Sequence, residues 1–463
     1  MNIRHPLLAL LLALLPAAAT AAPQSDAPQK TFKLRIALTD KKDCGFSTRR
    51  PEAFLTAKSI DRRKRYGLKV DEHDLPLTPA YVGRILQMGL TEVCRSKWVN
   101  TLVVAAPDTL VMERLRALPF VSSVRCVWET PDAPEPEAEN ANRAEEIVLT
   151  KADTLASFYG HARQQVEMLG VERLHNAGLR GAGVTIAVVD GGFHNADLIP
   201  GLPHERILGT RNFVRPDRSV YAEQSHGMMV LSCIAANVPH ALVGTAPDAS
   251  FYLMVSEDNE SEQMVEEDYW CAAVEAADSL GCDMVTSSLG YTGFDHAYMP
   301  LTYRELDGRT HLISRVASLA ASRGMLVLNS AGNSGNDTWK KIGVPADATD
   351  MLAVGAVDAD SINTRFSSLG HSADGRVKPD VMAMGQQSAV FGIDSQVTFA
   401  NGTSFSCPIM CGAVACLVGA HPGARPTDII DAVRRAGNNA RHPDNIFGYG
   451  IPYMPRANEM LSK

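Results

Sequence analysis

The chain has 463 residues, 45% of them apolar and 21% charged, with a formal net charge of -8. That composition is ordinary for a globular protein and excludes the disordered and fibrous classes, while the length admits two domains or one large domain with an appendage. The acidic balance argues against nucleic acid as the main partner, because phosphate binding needs a surplus of Lys and Arg.

In chain order, Arg4 precedes a run from Leu7 to Leu15 made wholly of Leu and Ala, and Ala17 to Ala22 supplies small residues. This three-part pattern predicts a cleavable signal peptide over 1–22, too short in its apolar part to be a permanent anchor. No later stretch reaches ~18 uninterrupted apolar residues, so no stable membrane span is expected. The product should be exported, either secreted or periplasmic.

Residues 23–130 mix short apolar strands, Phe32 to Ala37 and Thr101 to Ala105, with segments of helical periodicity, Pro79 to Met88 and Asp108 to Leu118. The alternation predicts a small α+β unit. Its basic cluster Arg62-Arg63-Lys64-Arg65 reads as a solvated helix face. Residues 131–150 begin with Pro131, Pro134 and Pro136 among Asp132, Glu135, Glu137 and Glu139. Proline and like charges predict an extended, protease-accessible linker there.

From 151 to 463 the pattern changes. Val184 to Val189 is an unbroken apolar run ending at Asp190, as expected of a strand buried on both faces. Similar runs recur at Ser250 to Val255, Met284-Val285, Met325 to Leu328 and Met351 to Val354, with helical segments Glu266 to Leu280 and His311 to Arg323 between them. The fold class expected is α/β, a doubly wound and mostly parallel sheet preceded by the small α+β unit. Ligands in such sheets bind beyond the carboxyl ends of the strands, where Asp190, Ser288-Leu289-Gly290 and Asn333 all fall.

Four positions carry the chemistry. Ser404, in Gly402-Thr403-Ser404, opens an apolar helix, where free backbone N–H groups favour a developing anion. His226 opens another helix, Asp190 ends a strand before two glycines, and Asn333 sits in a Gly-flanked loop able to present its amide. Ser404 then reads as nucleophile, His226 as the base that takes its proton, and Asp190 as the group that fixes the imidazole tautomer. Asn333 and the Ser404 N–H would hold the oxyanion. Taken singly, these residues are a helix cap, a surface histidine, a turn and a helix start; their joint occurrence in the order Asp, His, Asn, Ser carries the reading.

Nine cysteines cannot all pair with one another, and no spacing matches a zinc site or a disulfide scaffold. Most are expected to be free, buried thiols, with Cys271 and Cys282 the one local pair placed to bridge.

From Gly181 to about Tyr453 the chain resembles the subtilisin-like serine proteases. The family's serine motif, GTS-x-[AS]-x-P, is matched by Gly402 to Pro408, its aspartate motif by Val188 to Phe193, and its oxyanion loop by Ala331-Gly332-Asn333. Val377-Lys378-Pro379-Asp380-Val381 matches another common segment. The resemblance implies that Ser288, Leu289 and Gly290 pair with a bound peptide as an added strand and wall the S1 pocket. It implies peptide or protein substrates, and it makes the N-terminal unit a pro-domain that acts as intramolecular inhibitor until the enzyme cuts itself near the linker. No cofactor is required for the chemistry. A structural calcium is implied by family habit, with Asp197 at one ligand position and the metal site otherwise unknown. Departures are Gly191 where Thr or Ser is usual, His226-Gly227-Met228-Met229-Val230 for HGTHV, and Ser334 for an acid that some members carry, which weakens a basic P1 preference.

Competing readings are a catalytically silent relative that binds peptides in the same groove, and an accessory rather than inhibitory N-terminal domain. An α/β-hydrolase lipase would place serine before acid and histidine, in G-x-S-x-G, and a metalloprotease would carry HExxH; neither pattern is met.

Overall fold

A computed structural model describes residues 30–131 and 155–463. The signal peptide expected over 1–22 and the linker beyond Pro131 lie outside the described residues.

The N-terminal unit comprises β1 (Phe32–Leu38), α1 (Ala57–Arg65), α2 (Pro79–Leu86), β2 (Thr91–Ser96), β3 (Thr101–Ala106), α3 (Val111–Arg116) and β4 (Val121–Glu129). The strands form an antiparallel sheet in the order β2-β3-β1-β4. Strand alternation sends Leu34, Ile36 and Leu38 of β1 to one face, where they pack with Val82 and Ile85 of α2 and Leu115 of α3. Lys33 and Arg35 point the other way, toward the second domain.

That second domain opens with α4 (Arg163–Glu167) and α5 (Val171–Asn176), followed by β5 (Thr185–Asp190), β6 (Ile207–Asn212) and α6 (His226–Ala235). A short ribbon, β7 (Asn237–Val238) and β8 (Leu242–Val243), leads to β9 (Ser250–Val255), α7 (Val265–Leu280), β10 (Met284–Ser287), α8 (Leu312–Ser322) and β11 (Leu326–Ser330). The chain closes with β12 (Leu352–Val357), β13 (Val381–Met384), the hairpin β14 (Ser388–Phe391) and β15 (Val397–Ala400), then α9 (Thr403–Ala420), α10 (Pro426–Ala436) and α11 (Met454–Leu461). Seven strands make one sheet in the order β13-β12-β11-β10-β5-β9-β6. Every pair in it is parallel.

Both faces of the sheet are covered, α6 and α9 on one side and α7 and α8 on the other, which is why β5 needs an apolar residue at almost every position. Strand order reverses direction between β5 and β10, so the crevice beyond their carboxyl ends is the ligand-binding place that such a topology offers.

Helix α9 is 18 residues long with a mean hydropathy of 1.6, enough by length and composition to cross a bilayer, yet 83% of it is buried inside the domain. Here it is the central core helix, packed beneath the sheet.

The reading of Arg62 to Arg65 as a solvated face needs correction. Lys64 and Arg65 are exposed, but Arg62 and Arg63 are each 1% exposed. Their counter-charge, Asp278, arrives on α7 from 215 residues further along, a partner that no local pattern in the sequence announces. Along the same interface Arg35 grips Asp268 through 2.7 and 2.6 Å bonds, and Glu275 accepts the Lys97 and Trp98 N–H groups at 2.7 and 3.1 Å. Helix α7 is therefore buried nearly all round, by the sheet beneath and the N-terminal unit above.

All nine cysteines are free, and Cys271 and Cys282 are buried and unbridged.

Candidate active site

Asp190 closes β5 and is 2% exposed. Its Oδ1 accepts the Gly191 N–H at 2.8 Å and faces Nδ1 of His226 at 2.7 Å. His226 is the first residue of α6, and the helix can approach the strand end because Gly227 follows. A Cβ on Gly227 would lie 2.5 Å from Gly192 O and 2.8 Å from Asp190 Cβ. The Asp190 charge raises the imidazole above its ordinary pKa, against the opposing pull of burial.

Ser404 is the second residue of α9 and half-buried. Pro408 has no N–H to give the Ser404 carbonyl, the bond that a regular helix would make there. Ser288 fills the gap, its hydroxyl donating to Ser404 O at 2.8 Å. Reciprocally, the Ser404 hydroxyl is turned to Ser288 O at 3.5 Å. It makes no hydrogen bond to His226, whose ring stands 5.9 Å from that of Phe405, the next residue. The structure thus brings Asp190 and His226 into contact and sets Ser404 beside them with its hydroxyl rotated away.

Asn333 lies just past β11. Its Oδ1 accepts from Thr403 N at 2.9 Å and from the Thr403 hydroxyl at 3.0 Å, while that hydroxyl accepts the Gly332 N–H at 3.2 Å. A backbone N–H can only donate, so these bonds fix the amide orientation and leave Nδ2 as the free donor end. Gly332 sits at φ 104°, the left-handed region, with Ser368 Oγ 2.8 Å from where a Cβ would be.

Ser288-Leu289-Gly290 leaves β10 as an extended segment, held by Asn329 Nδ2 on Leu289 O at 2.8 Å and by the two bonds between Tyr291 and Val344. Gly290 is exposed at its open edge.

Ser288, Leu289 and Gly290, with Asp190 and His226, line a cavity of about 600 Å³ that also takes in the loop between β9 and α7. Pro131, two residues past β4, reaches the same cavity. Just before it, Glu129 exchanges two 2.9 Å bonds with Gln263, N–H to Oε1 and Nε2–H to O. Sequence reasoning missed this loop, Glu257 to Gln263, although it follows a correctly read strand and falls under the same rule as Asp190.

Asp197 lies in the loop after β5. Among the described residues no three His, Cys, Asp or Glu side chains are grouped to hold a metal.

Three distant parts of the chain thus meet at the switch point of one parallel sheet, the arrangement of a doubly wound hydrolase. The profile of the Subtilase family matches residues 181–450, and the chain belongs to that family; it is a serine-type endopeptidase. A second profile, the Peptidase S8 propeptide domain of Bacteroidota, matches 33–144, so the N-terminal unit is a pro-domain. Similar curated proteins include Subtilisin NAT of Bacillus subtilis subsp. natto, 29% identical over 66% of this chain and 73% of its own length. Subtilisin of Bacillus pumilus is 28% identical over 62% of this chain and 94% of its own. The crystal structure of MycP1 with its N-terminal propeptide removed shares the fold, with a TM-score of 0.51 at 21% identity over 64% of this chain and 96% of that one.

Proposed function

We propose that the protein is an exported subtilisin-like endopeptidase that cuts peptide bonds through an acyl-enzyme on Ser404. The 2.7 Å bond between Asp190 and His226 carries this reading, because an imidazole so oriented keeps Nε2 free as the base. The mechanism requires a turn about the Ser404 Cα–Cβ bond that carries Oγ from Ser288 O to that nitrogen. Oγ then attacks the substrate carbonyl, and Nε2 takes its proton and returns it to the leaving amine. Asn333 Nδ2 and the Ser404 N–H receive the oxyanion at the dipole-positive start of α9. A water molecule, activated by the same imidazole, releases the acyl group. No cofactor enters a chemical step, and a calcium at Asp197 would be structural.

Peptide or protein substrates would pair with the open edge at Ser288, Leu289 and Gly290. The pro-domain would inhibit by holding its end, Glu129 to Pro131, against that cleft, and self-cleavage near the linker would end the inhibition. The signal-peptide pattern over 1–22 supports export.

A catalytically silent peptide-binding relative is the second reading, and the rotated Ser404 hydroxyl is the observation in its favour. Fluorophosphonate labelling separates the two. The protease reading expects a label that Ser404→Ala abolishes, together with an intact mass for that variant larger than the processed wild type. An unlabelled, unprocessed wild-type chain would refute it.

A further inference from the structure

Seven residues lining the cavity beside His226 are Asp or Glu, and none is Lys or Arg. Asp258 and Glu260 share one cation, Arg215, at 3.3 and 2.5 Å, and Glu223 draws on it too. Among the described residues no Lys or Arg forms an ion pair with the remaining acids. Glu266 accepts the N–H groups of Asp258 and Gln263. Both hydroxyls that reach Glu257, from Tyr291 and Ser256, bond its Oε1. Among the described residues Asp295 accepts only the Glu262 N–H, and the Glu262 carboxylate makes no ion pair. Among the described residues the buried Oδ2 of Asp190 has no hydrogen-bond partner.

Burial, with repulsion from Glu262, pushes Glu257 up to about 8; Glu262, solvent-exposed at the cavity rim, is raised as well, by partial desolvation and repulsion from Asp295. Both shifts are what a cluster lacking its counter-charge shows. The acids are spread around the wall, and no three of them are grouped to share a metal ion. A peptide chain, by contrast, already reaches this space at Pro131.

We propose that this cavity is a specificity subsite for a Lys or Arg side chain of the substrate, N-terminal to the scissile bond, selected by Glu257 and Glu262. The inference rests on the proteolytic reading above. An extended peptide paired with Ser288 to Gly290 sends alternate side chains to opposite faces. The second and fourth residues before the scissile bond therefore share a face, and the cation occupies one of those positions.

The full chain, expressed and allowed to process itself, would be assayed on fluorogenic tetrapeptides that differ only in Lys against norleucine at the second or fourth position. Norleucine keeps the length of the stem and removes the charge. A charge-assisted pair in a recessed site should favour Lys by about tenfold or more in kcat/KM at one of the two positions. Glu257→Gln with Glu262→Gln should bring that ratio toward one, and Glu262→Asp should keep most of it. Should the double variant fail to fold, molar salt on the wild type should shrink the same ratio. Equal turnover of the two peptides by an enzyme whose Ser404 takes a fluorophosphonate overturns the inference and leaves the protease standing. A lysine preference untouched by both the double variant and salt also overturns it. Absence of label and of all turnover removes the proteolytic reading, and this inference with it.

Discussion

Arg63 and Asp278 form a two-pronged ion pair across the boundary between pro-domain and protease, with Nη1 to Oδ1 at 2.9 Å and Nη2 to Oδ2 at 2.8 Å, both side chains almost wholly excluded from solvent. Arg62 shares the same carboxylate, and Asp74 holds Arg63 at 2.8 Å and Arg323 at 3.2 Å. Removing one member of a buried ionic group typically costs about 3–5 kcal/mol, because the remaining charge is left desolvated and unpaired. Asp278→Ala takes from Arg62 its carboxylate and leaves Arg63 with Asp74 alone. In a Ser404→Ala background, where the chain stays intact, this change should make the pro-domain unfold at lower urea than the protease domain. A single transition at the parent midpoint would contradict it.

What the sequence made legible follows from range. Asp190, His226 and Ser404 each stand at a strand end or helix start that local pattern alone reveals, and β5, β9 and α7 were readable from apolar runs and 3.6-residue periodicity. Arg62 and Arg63 were misread because burial by a distant partner leaves no local trace. Glu267 and Asp268 on α7 look like solvent-facing acids for the same reason, yet they hold Arg35. The marginal strands β6 and β13 went unread because β6 is half exposed and β13 is only four residues long.

The Asp190–His226 pair sets a pH dependence. Catalysis needs neutral imidazole, and the neighbouring carboxylate raises its pKa, so the acid limb of kcat/KM should lie above the ordinary histidine value of about 6.5. Asp190→Asn should move that limb down and lower kcat by roughly 10⁴. The same pair stabilises the fold below the unfolded histidine pKa and loses that contribution as pH rises through the raised one. Asp190→Asn should accordingly lower the Tm more at pH 5 than at pH 9. Equal losses at both would show that the two groups are not electrostatically coupled.

Asn333 has two duties that substitution can separate. Its Oδ1 ties down Thr403 just before the nucleophile, and its Nδ2 is the proposed oxyanion donor. Asn333→Ala removes both and should reduce kcat about 10²- to 10³-fold with little change in KM. Asn333→Asp keeps the acceptor for Thr403 but replaces the donor with a charge, so it should fold as well as the parent and be at least as inactive. Stopped-assay kinetics with thermal melts of each variant distinguish donation from positioning.

The exchange between Pro408 and Ser288 makes a sharper prediction. Ser404 O lacks its helical donor because residue 408 is proline, and the Ser288 hydroxyl supplies one at 2.8 Å. Ser288→Ala should therefore leave a carbonyl unsatisfied and cost about 1 kcal/mol. Pro408→Ala restores an N–H within reach of Ser404 O and removes proline from the helix interior, which by propensity favours the helix. In that background Ser288→Ala should cost clearly less, since the carbonyl no longer depends on the hydroxyl. A double-mutant cycle in urea measures the difference directly. Strict additivity would mean that the two donors never compete for Ser404 O, and that the proline shapes the nucleophile's turn by sterics alone.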